Sequence, residues 1–320
     1  MATAEQIKTL IRSHFSEESE RFFTAALQVA AHEARQGHGA LAHEIKLLVE
    51  KARQTQKQDP LKFPSELSGL ILTEEPEAHL ENLILGTDRK ERIRRILHEY
   101  KQRNTLKEHS LSHRRKILLS GPPGTGKTMT AGVLAHELGL PLRTIQVDRL
   151  VTKFMGETAA KLRQIFDIIR ENPGVYLFDE FDAIGGDRGR DNDVGEMRRV
   201  LNAFLQFIEA EASDNLIVAA TNNESLLDKA LFRRFDDVIY YALPDAEERE
   251  LLMRNLLALF SNKRFPFAQA AEEAEGLSHA DIDHACRNAM KEGVLSGKKT
   301  VELATLKTFL LERKQSYGGR

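Results

Sequence analysis

The chain has 320 residues, a formal charge of −2 at neutral pH, 41% hydrophobic residues and 29% charged residues. That balance is typical of a globular protein with a substantial core, and the near-neutral charge gives no signal for nucleic acid or acidic membranes. No apolar run approaches the roughly 20 residues that span a bilayer, and the N-terminus lacks the apolar segment of a signal peptide. Cys286 is the only cysteine, which excludes an intrachain disulfide and favours a cytoplasmic location without a membrane partner.

The first 58 residues are predicted to form a helical hairpin that constitutes an N-terminal domain. Their apolar residues recur every three or four positions in two segments, which is the spacing of one helix face. The first segment carries Phe22, Phe23, Ala26, Leu27, Ala30 and Ala34, and the second carries Ile45, Leu48 and Val49. Gly37-His38-Gly39 interrupts the pattern and marks the turn. Residues 59–82, which include Pro60 and Pro64, are predicted to form a linker.

Between residues 83 and 243, short apolar runs alternate with helical segments. The runs are KILLS, TIQV, VYLFD and LIVAAT, and they are rich in Ile, Leu and Val. This alternation predicts an α/β fold in which a parallel sheet is covered by helices on both faces. After Pro244 the strand-like runs stop, so residues 244–320 are predicted to form a helical subdomain.

A glycine-rich motif, GPPGTGKT, follows the run KILLS and precedes a helical segment. It matches G-x-x-x-x-G-K-[ST], in which backbone N–H groups and a helix N-terminus bind phosphate. Lys127 can reach the β- and γ-phosphates, and the Thr128 hydroxyl can bind Mg²⁺. The nucleotide-binding residues predicted in this segment are Gly121, Pro122, Pro123, Gly124, Thr125, Gly126, Lys127, Thr128 and Met129.

Two other strand ends carry polar groups that suit phosphoryl transfer. VYLFD ends in Asp179, which can hold Mg²⁺, and Glu180 follows it and can orient the attacking water. LIVAAT is followed by Asn222, whose amide can bind the γ-phosphate or the water. Arg233 and Arg234 are adjacent cations further along the chain, and they suit either a phosphate or an ordinary solvated surface.

These motifs resemble those of the AAA+ ATPases. GPPGTGKT, KFMGET, FDEFD, AATN, RRFDD and GLSHADIDHACRNA occur in that family's order, and they are similar to the AAA clade that includes katanin, spastin and the membrane-bound bacterial AAA proteases. The resemblance covers about residues 83–320. It implies a P-loop α/β subdomain over residues 83–243, a helical lid over residues 244–320, and a homo-oligomeric ring, usually a hexamer. It also implies that ATP and Mg²⁺ bind between neighbouring subunits.

The resemblance assigns roles to the motif residues. Lys127 and Thr128 correspond to Walker A, Asp179 and Glu180 to Walker B, with Thr128 and Asp179 as the Mg²⁺ ligands. Asn222 corresponds to sensor 1.

Two adjacent arginines occupy the segment that supplies the arginine finger, a cation that acts on the neighbouring subunit's nucleotide. The family usually separates two arginines in this segment, whereas this chain has the contracted sequence RRFD. Arg234 directly precedes Phe235-Asp236 and is the preferred finger, with Arg233 as the second candidate.

The remaining assignments concern the base, the lid and the channel. Leu85 and Gly86 are at the position where the adenine pocket begins, and Ala280 is where other clades place a sensor 2 arginine. Phe154 and Met155 fall in pore loop 1, which grips an extended polypeptide in the ring's channel. Without the resemblance, the segment alone favours a loop that packs Phe154 into the protein's own core. The segment GGDRGRDNDVGEMRR is predicted to form a second channel loop, with Arg198 and Arg199 at the subunit boundary.

Several functions fit these residues. The preferred one is an ATP-driven unfoldase, threading machine or remodeller of protein substrates. The alternatives are a DNA-directed AAA+ ATPase of the helicase or clamp-loader type, the ATPase partner of a separately encoded protease, and a nucleotide switch without turnover. The apolar channel loop and the near-neutral charge argue against nucleic acid. The N-terminal hairpin either docks an adaptor or protease or only stabilises the ring.

Overall fold

The computed structural model describes residues 19–56, 67, 69–153, 156–185, 191–223 and 232–318. The chain divides into two compact units, Met1–Phe63 and Pro64–Arg320. Within the described residues, every helix is either too short or too polar to cross a membrane.

The first unit contains a helical hairpin. Helix α1 (Ser19–Arg35) and helix α2 (Gly39–Gln56) pack together around Phe23, Ala26 and Val49. Gly37 between the helices has a φ of 88°, a left-handed conformation that glycine adopts without steric cost where a helix ends. The predicted hairpin is therefore confirmed, although Ala34 and Leu48 of the predicted apolar faces are exposed rather than packed between the helices.

The second unit is built on a six-stranded sheet in the order β1-β3-β4-β5-β2-β6. The strands are β1 (Ile71–Glu74), β2 (Lys116–Ser120), β3 (Leu142–Gln146), β4 (Val175–Asp179), β5 (Leu216–Thr221) and β6 (Asp237–Tyr240). Strands β2 to β6 pair in parallel, and β1 joins the edge antiparallel to β3. The predicted parallel sheet is confirmed, and its four predicted strands are among those observed.

In the second unit, the helices before β6 cover the sheet, and the helices after β6 form a separate cluster. Those of the α/β part are α3 (Thr87–Lys101), α4 (Arg103–Glu108), α5 (Lys127–Leu138), α6 (Val147–Lys153), α7 (Thr158–Glu171), α8 (Asp182–Gly185) and α9 (Asp191–Ala210). Those of the helical lid are α10 (Ala246–Leu256), α11 (Phe267–Glu273), α12 (His279–Leu295) and α13 (Leu303–Gly318). The lid has its own core, in which Met253, Ile282 and Leu306 are fully buried.

Strand β4 shows why the sheet is buried on both faces. Val175 and Leu177 belong to the core that includes residues of α3 and α5. Phe178 points to the other face, where its ring lies 5.8 Å from Phe166 of α7 and 5.1 Å from Phe204 of α9. Successive side chains of a strand alternate between faces, so one apolar run serves both cores. The strand ends that carry the polar motifs are therefore held rigidly.

Two segments differ from the sequence-based expectation. Strand β1 lies inside the predicted linker, because Ile71 is buried and the chain pairs with β3 there. Residues 191–199 of the predicted second channel loop, 185–199, belong to helix α9, whereas residues 186–190 lie outside the described part of the chain. Val194, Met197, Leu201 and Phe204 recur at helical spacing, and this periodicity outweighs the glycines and charges that suggested a loop.

Candidate active site

The carboxyl ends of three neighbouring strands meet at one edge of the sheet. Backbone hydrogen bonds join their exits, since Phe181 donates to Ala220 at 2.9 Å and Gly121 donates to Thr221 at 3.2 Å. In the order β4-β5-β2, only the end of β5 lies between the segment after Asp179 and the start of the glycine-rich loop. Ligands of open α/β sheets bind at this edge.

The glycine-rich loop turns sharply before helix α5. Gly124 and Gly126 have φ values of 73° and 100°, which side-chain-bearing residues rarely adopt. Gly126 caps α5, and no side chain caps the helix through a hydrogen bond. Since the first N–H groups of a helix have no partner within the helix, this end presents donors and a partial positive charge to an anion.

Lys127 is held at the base of the loop. Its side chain is mostly buried, and Nζ donates to the carbonyl oxygens of Gly121 at 2.7 Å and Pro122 at 2.8 Å. Burial lowers the pKa of the Lys127 ammonium, and the carboxylates of Asp179 and Asp182 oppose that shift. Neutral carbonyls are weaker partners for an ammonium than anionic oxygens, so a phosphate is a better partner than those the chain supplies.

Thr128, Asp179 and Glu180 adjoin one another. The Thr128 hydroxyl donates to Oδ2 of Asp179 at 3.0 Å, and the backbone N–H of Glu180 donates to Oδ1 of Asp179 at 2.9 Å. Glu180 has a φ of 51°, an uncommon conformation for a residue with a side chain. Hydroxyl and carboxylate oxygens are the hard ligands that Mg²⁺ prefers, so this pair fits the ion that the motif implies.

Asp182 hydrogen-bonds the end of β5, where Asn222 lies. Its Oδ1 accepts hydrogen bonds from the Asn222 N–H at 3.3 Å and from the Thr221 hydroxyl at 3.4 Å. Asp182 had no predicted role, although it is the last residue of the motif FDEFD. Its position shows how the exit of β5 is fixed relative to the carboxylates that follow β4.

These side chains line a cavity of about 800 Å³, a size within the range of ligand pockets. One wall is formed by Lys127, Thr128, Met129, Asp179, Glu180 and Asn222. Pro123, Gly124 and Gly126 contribute the backbone of the loop. The sequence-predicted groups from the glycine-rich loop and from both strand ends therefore surround one space.

The other residues of the lining come from the segment before α3 and from the lid. They are Asn82, Ile84, Leu252, Leu256, His279, Ala280, Asp283 and Arg287, together with Asn255. The Ala280 N–H donates to the Gly124 carbonyl at 3.0 Å, so the lid contacts the loop directly.

Several of these wall residues were not anticipated. Ala280 was predicted from the sequence, whereas Asn82, Ile84 and His279 were not. The predicted residues Leu85 and Gly86 are not among those that line the cavity: Leu85 is buried in the core shared with α3 and α5, and Gly86 caps α3.

The two arginines lie outside the lining of this cavity. Arg233 is exposed, and Arg234 forms an ion pair with Glu209 of α9.

The two residues predicted to lie in the channel, Phe154 and Met155, fall outside the described residues. Helix α6 ends just before them, at Lys153, and Gly156 just after them has a φ of 88°.

Comparison with known proteins identifies relatives of the chain. Residues 117–243 match the model of the ATPase family associated with various cellular activities, AAA. An uncharacterised AAA family ATPase of Sinorhizobium fredii, y4kL, is 33% identical over 310 residues, which are 94% of this chain and 92% of the relative.

Two other relatives have more specific names and are matched over a smaller share of their length. The ATP-dependent zinc metalloprotease FtsH of Mycoplasmopsis synoviae is 37% identical over 198 residues, which are 58% of this chain and 29% of the relative. A proteasome-activating nucleotidase of Methanosphaerula palustris is 29% identical over 260 residues, which are 78% of this chain and 62% of the relative.

Proposed function

Because the chain belongs to the AAA family of ATPases, we propose that it forms a hexameric ring that uses ATP hydrolysis to unfold, thread or remodel protein substrates. Family membership makes the chain an ATPase. The observation that supports the site best is that Lys127, Thr128, Asp179, Glu180 and Asn222 line one cavity.

The glycine-rich loop holds the phosphates in this proposal. Its turn directs backbone N–H groups and the start of α5 toward the triphosphate. Lys127 exchanges the carbonyls of Gly121 and Pro122 for phosphate oxygens, which are stronger partners for its ammonium. Ala280 and the lid close over the loop from the other side.

The group formed by Thr128, Asp179 and Glu180 prepares the reaction in this proposal. Thr128 and Asp179 hold Mg²⁺, which supplies neutralisation of charge on the phosphates. Glu180 orients the attacking water. Its backbone is held by the hydrogen bond from its own N–H to Asp179, which fixes where the Glu180 side chain starts. Asn222 binds the γ-phosphate or the water, positioned by Asp182.

The proposed ring completes this site from a neighbouring subunit. Arg234, or Arg233, stabilises the transition-state charge on the neighbour's nucleotide. The position of both arginines outside their own chain's cavity supports action in trans. The pair of Arg234 with Glu209 keeps the guanidinium near the subunit's surface until a neighbour's phosphate competes for it.

Protein is the proposed substrate, with Phe154 and Met155 as the residues that grip it in the channel. Support comes from the channel-loop sequence and from relatives named for proteasome activation and proteolysis. The N-terminal hairpin is proposed to dock an adaptor or a separately encoded protease. A cytoplasmic location, favoured by the single cysteine, is part of the same proposal.

The test compares the ATPase rate of the purified protein alone, with a permanently unfolded protein and with single- and double-stranded DNA. Stimulation by the unfolded protein and a Glu180→Gln variant without turnover are the expected results. Stimulation by DNA alone would replace the proposal with a DNA-directed ATPase. Binding of ATP without turnover by the wild type would replace it with a nucleotide switch.

A further inference from the structure

The C-terminal helix of the lid makes a charged contact with the start of helix α12. Arg313 of α13 donates to Oδ1 of Asp281 through Nη2 at 2.6 Å and through Nε at 3.1 Å. The Asp281 side chain is 6% exposed and that of Arg313 is 31% exposed. A carboxylate this well buried depends on its hydrogen bonds and its cation, because desolvation disfavours the charged form.

Asp281 in turn fixes Ser278. Oδ2 of Asp281 accepts from the Ser278 hydroxyl at 2.6 Å and from the Ser278 N–H at 3.2 Å, and the Ser278 hydroxyl accepts from the Asp281 N–H at 3.2 Å. This is the capping box of α12, which sets both the backbone at the helix start and the rotamer of Ser278.

The start of α12 rests on the phosphate loop. The Ala280 N–H donates to the Gly124 carbonyl at 3.0 Å. A Cβ atom on Gly124 would lie 2.6 Å from Ser278 Oγ and 3.0 Å from Ala280 Cβ, so the two segments are in close contact. The position of Ser278 and Ala280 therefore sets the position of the Gly124 peptide in the loop.

We propose that Arg313 is a positioning residue for nucleotide binding, which acts through Asp281, Ser278 and Ala280 on the backbone of Gly124. The inference rests on the proposed assignment of residues 121–128 as the nucleotide site. Arg313 lies outside the cavity lining, so its effect is on the loop that binds the phosphates. The C-terminal helix thereby becomes an element through which nucleotide affinity is set.

Loss of the guanidinium has a specific expected effect. The Asp281 carboxylate keeps its bonds to Ser278 but loses two charge-assisted bonds at Oδ1, which weakens its hold on the capping box. The Gly124 peptide can then leave the position in which the N–H groups of the loop point at one phosphate. The substitution leaves Glu180, Asn222 and the two finger candidates unchanged. The affinity for ATP should therefore fall while kcat is kept.

The experiment uses Arg313→Met, which keeps the apolar stem, and Lys307→Met as a matched control. Lys307 lies on the same helix and pairs with Glu273 at 2.8 Å, and neither residue hydrogen-bonds Ser278 in the part of the chain that the structure describes. The measurements are the Kd of a fluorescent ATP analogue, KM, kcat and Tm for both variants, for Arg313→Lys and for Lys127→Ala.

We expect Arg313→Met to raise Kd and KM by about 2- to 30-fold with kcat little changed, the range of coupling within a contact network. Lys307→Met should keep the wild-type Kd, and Arg313→Lys should recover part of the affinity, because a single ammonium restores the charge without the paired geometry. A wild-type Kd in Arg313→Met, or equal losses in Arg313→Met and Lys307→Met, would overturn the inference. Retained affinity in Lys127→Ala would instead overturn the nucleotide site itself.

Discussion

The hydroxyl of Thr128 donates a 3.0 Å hydrogen bond to Oδ2 of Asp179, although the two residues lie 51 positions apart in the chain. Thr128 is in the first turn of α5 after β2, and Asp179 ends β4, with β5 between the two strands. The contact follows from the sheet order, since parallel strands deliver their carboxyl ends to one edge. The two oxygen groups proposed to hold Mg²⁺ are thus brought together by the fold.

Glu180→Gln removes the carboxylate that orients the water and retains the shape of the side chain. We expect nucleotide binding to persist and turnover to fall by orders of magnitude, because the contacts of Lys127 and Thr128 with the phosphates are kept. Fluorescent-nucleotide binding and phosphate release measure the two effects separately. Glu171→Gln, at an exposed helix end, is the matched control, and wild-type turnover in Glu180→Gln would remove Glu180 from its role.

Arg234→Ala should leave nucleotide binding largely intact and abolish hydrolysis, because the cation is proposed to act on a neighbouring subunit. Cations of this kind contribute about 10³ to 10⁵ in rate in other P-loop enzymes. The same change at Arg233 shows which of the two arginines carries the role.

Mixed rings test the trans arrangement directly. Arg234→Ala and Lys127→Ala subunits, each inactive alone, should regain some activity when exchanged into one ring. Some interfaces then combine an intact phosphate loop with an intact arginine. Absence of recovery after verified subunit exchange would count against action in trans.

Gly124→Ala tests the contact between the loop and the lid. The added Cβ would meet Ser278 Oγ at 2.6 Å in a residue whose φ is 73°. Gly139→Ala is the matched control, because Gly139 has a φ of 63° but no atom within 4 Å of an added Cβ. Both variants should lose about 1–2 kcal/mol of unfolding free energy from backbone strain.

The two variants should differ in nucleotide affinity. Gly124→Ala should raise the Kd for ATP strongly, since the lid or the loop must shift to accommodate the methyl group. Gly139→Ala should bind ATP like the wild type. Equal affinities in titrations of the two variants would show that the close approach of Ser278 to Gly124 does not control the loop.

Much of the α/β part could be predicted from the sequence. KILLS, VYLFD and LIVAAT are buried runs whose composition alone predicts strands, and the helix at His279–Leu295 follows from its apolar spacing. Strand β6 was not predicted, although DVIY is rich in β-branched and aromatic residues, because it is only four residues long and directly follows the charged segment RRFD.

The site was predictable only where a local motif carries it. Lys127, Asp179 and Glu180 are identified by short sequence patterns, and all three line the cavity. Asp182 and His279 lie inside quoted motifs that assign them no role, and Arg313 lies in no motif, since the importance of all three comes from contacts between segments distant in the chain. Arg313 reaches Asp281 from 32 residues away, a relationship that spacing and composition do not encode.

Phe154→Ala distinguishes a channel residue from a core residue by stability. A gripping side chain supports no core, so its loss should leave Tm and basal ATPase activity close to the wild type. Truncation of a buried Phe costs about 3–5 kcal/mol and would damage every activity together. Phe166→Ala, which removes a fully buried ring packed on Phe178, is the control that shows the core response. Thermal unfolding of both variants measures the difference.

The most direct test of the account is the ATPase rate of wild type and Phe154→Ala with and without a permanently unfolded protein. We predict that the unfolded protein stimulates the wild type and that Phe154→Ala keeps the basal rate but loses the stimulation. Phe154→Tyr should retain it, because an aromatic grip tolerates the hydroxyl. Equal stimulation of Phe154→Ala and wild type, or stimulation of the wild type by DNA alone, would contradict the claim that this ATPase pulls on protein through Phe154.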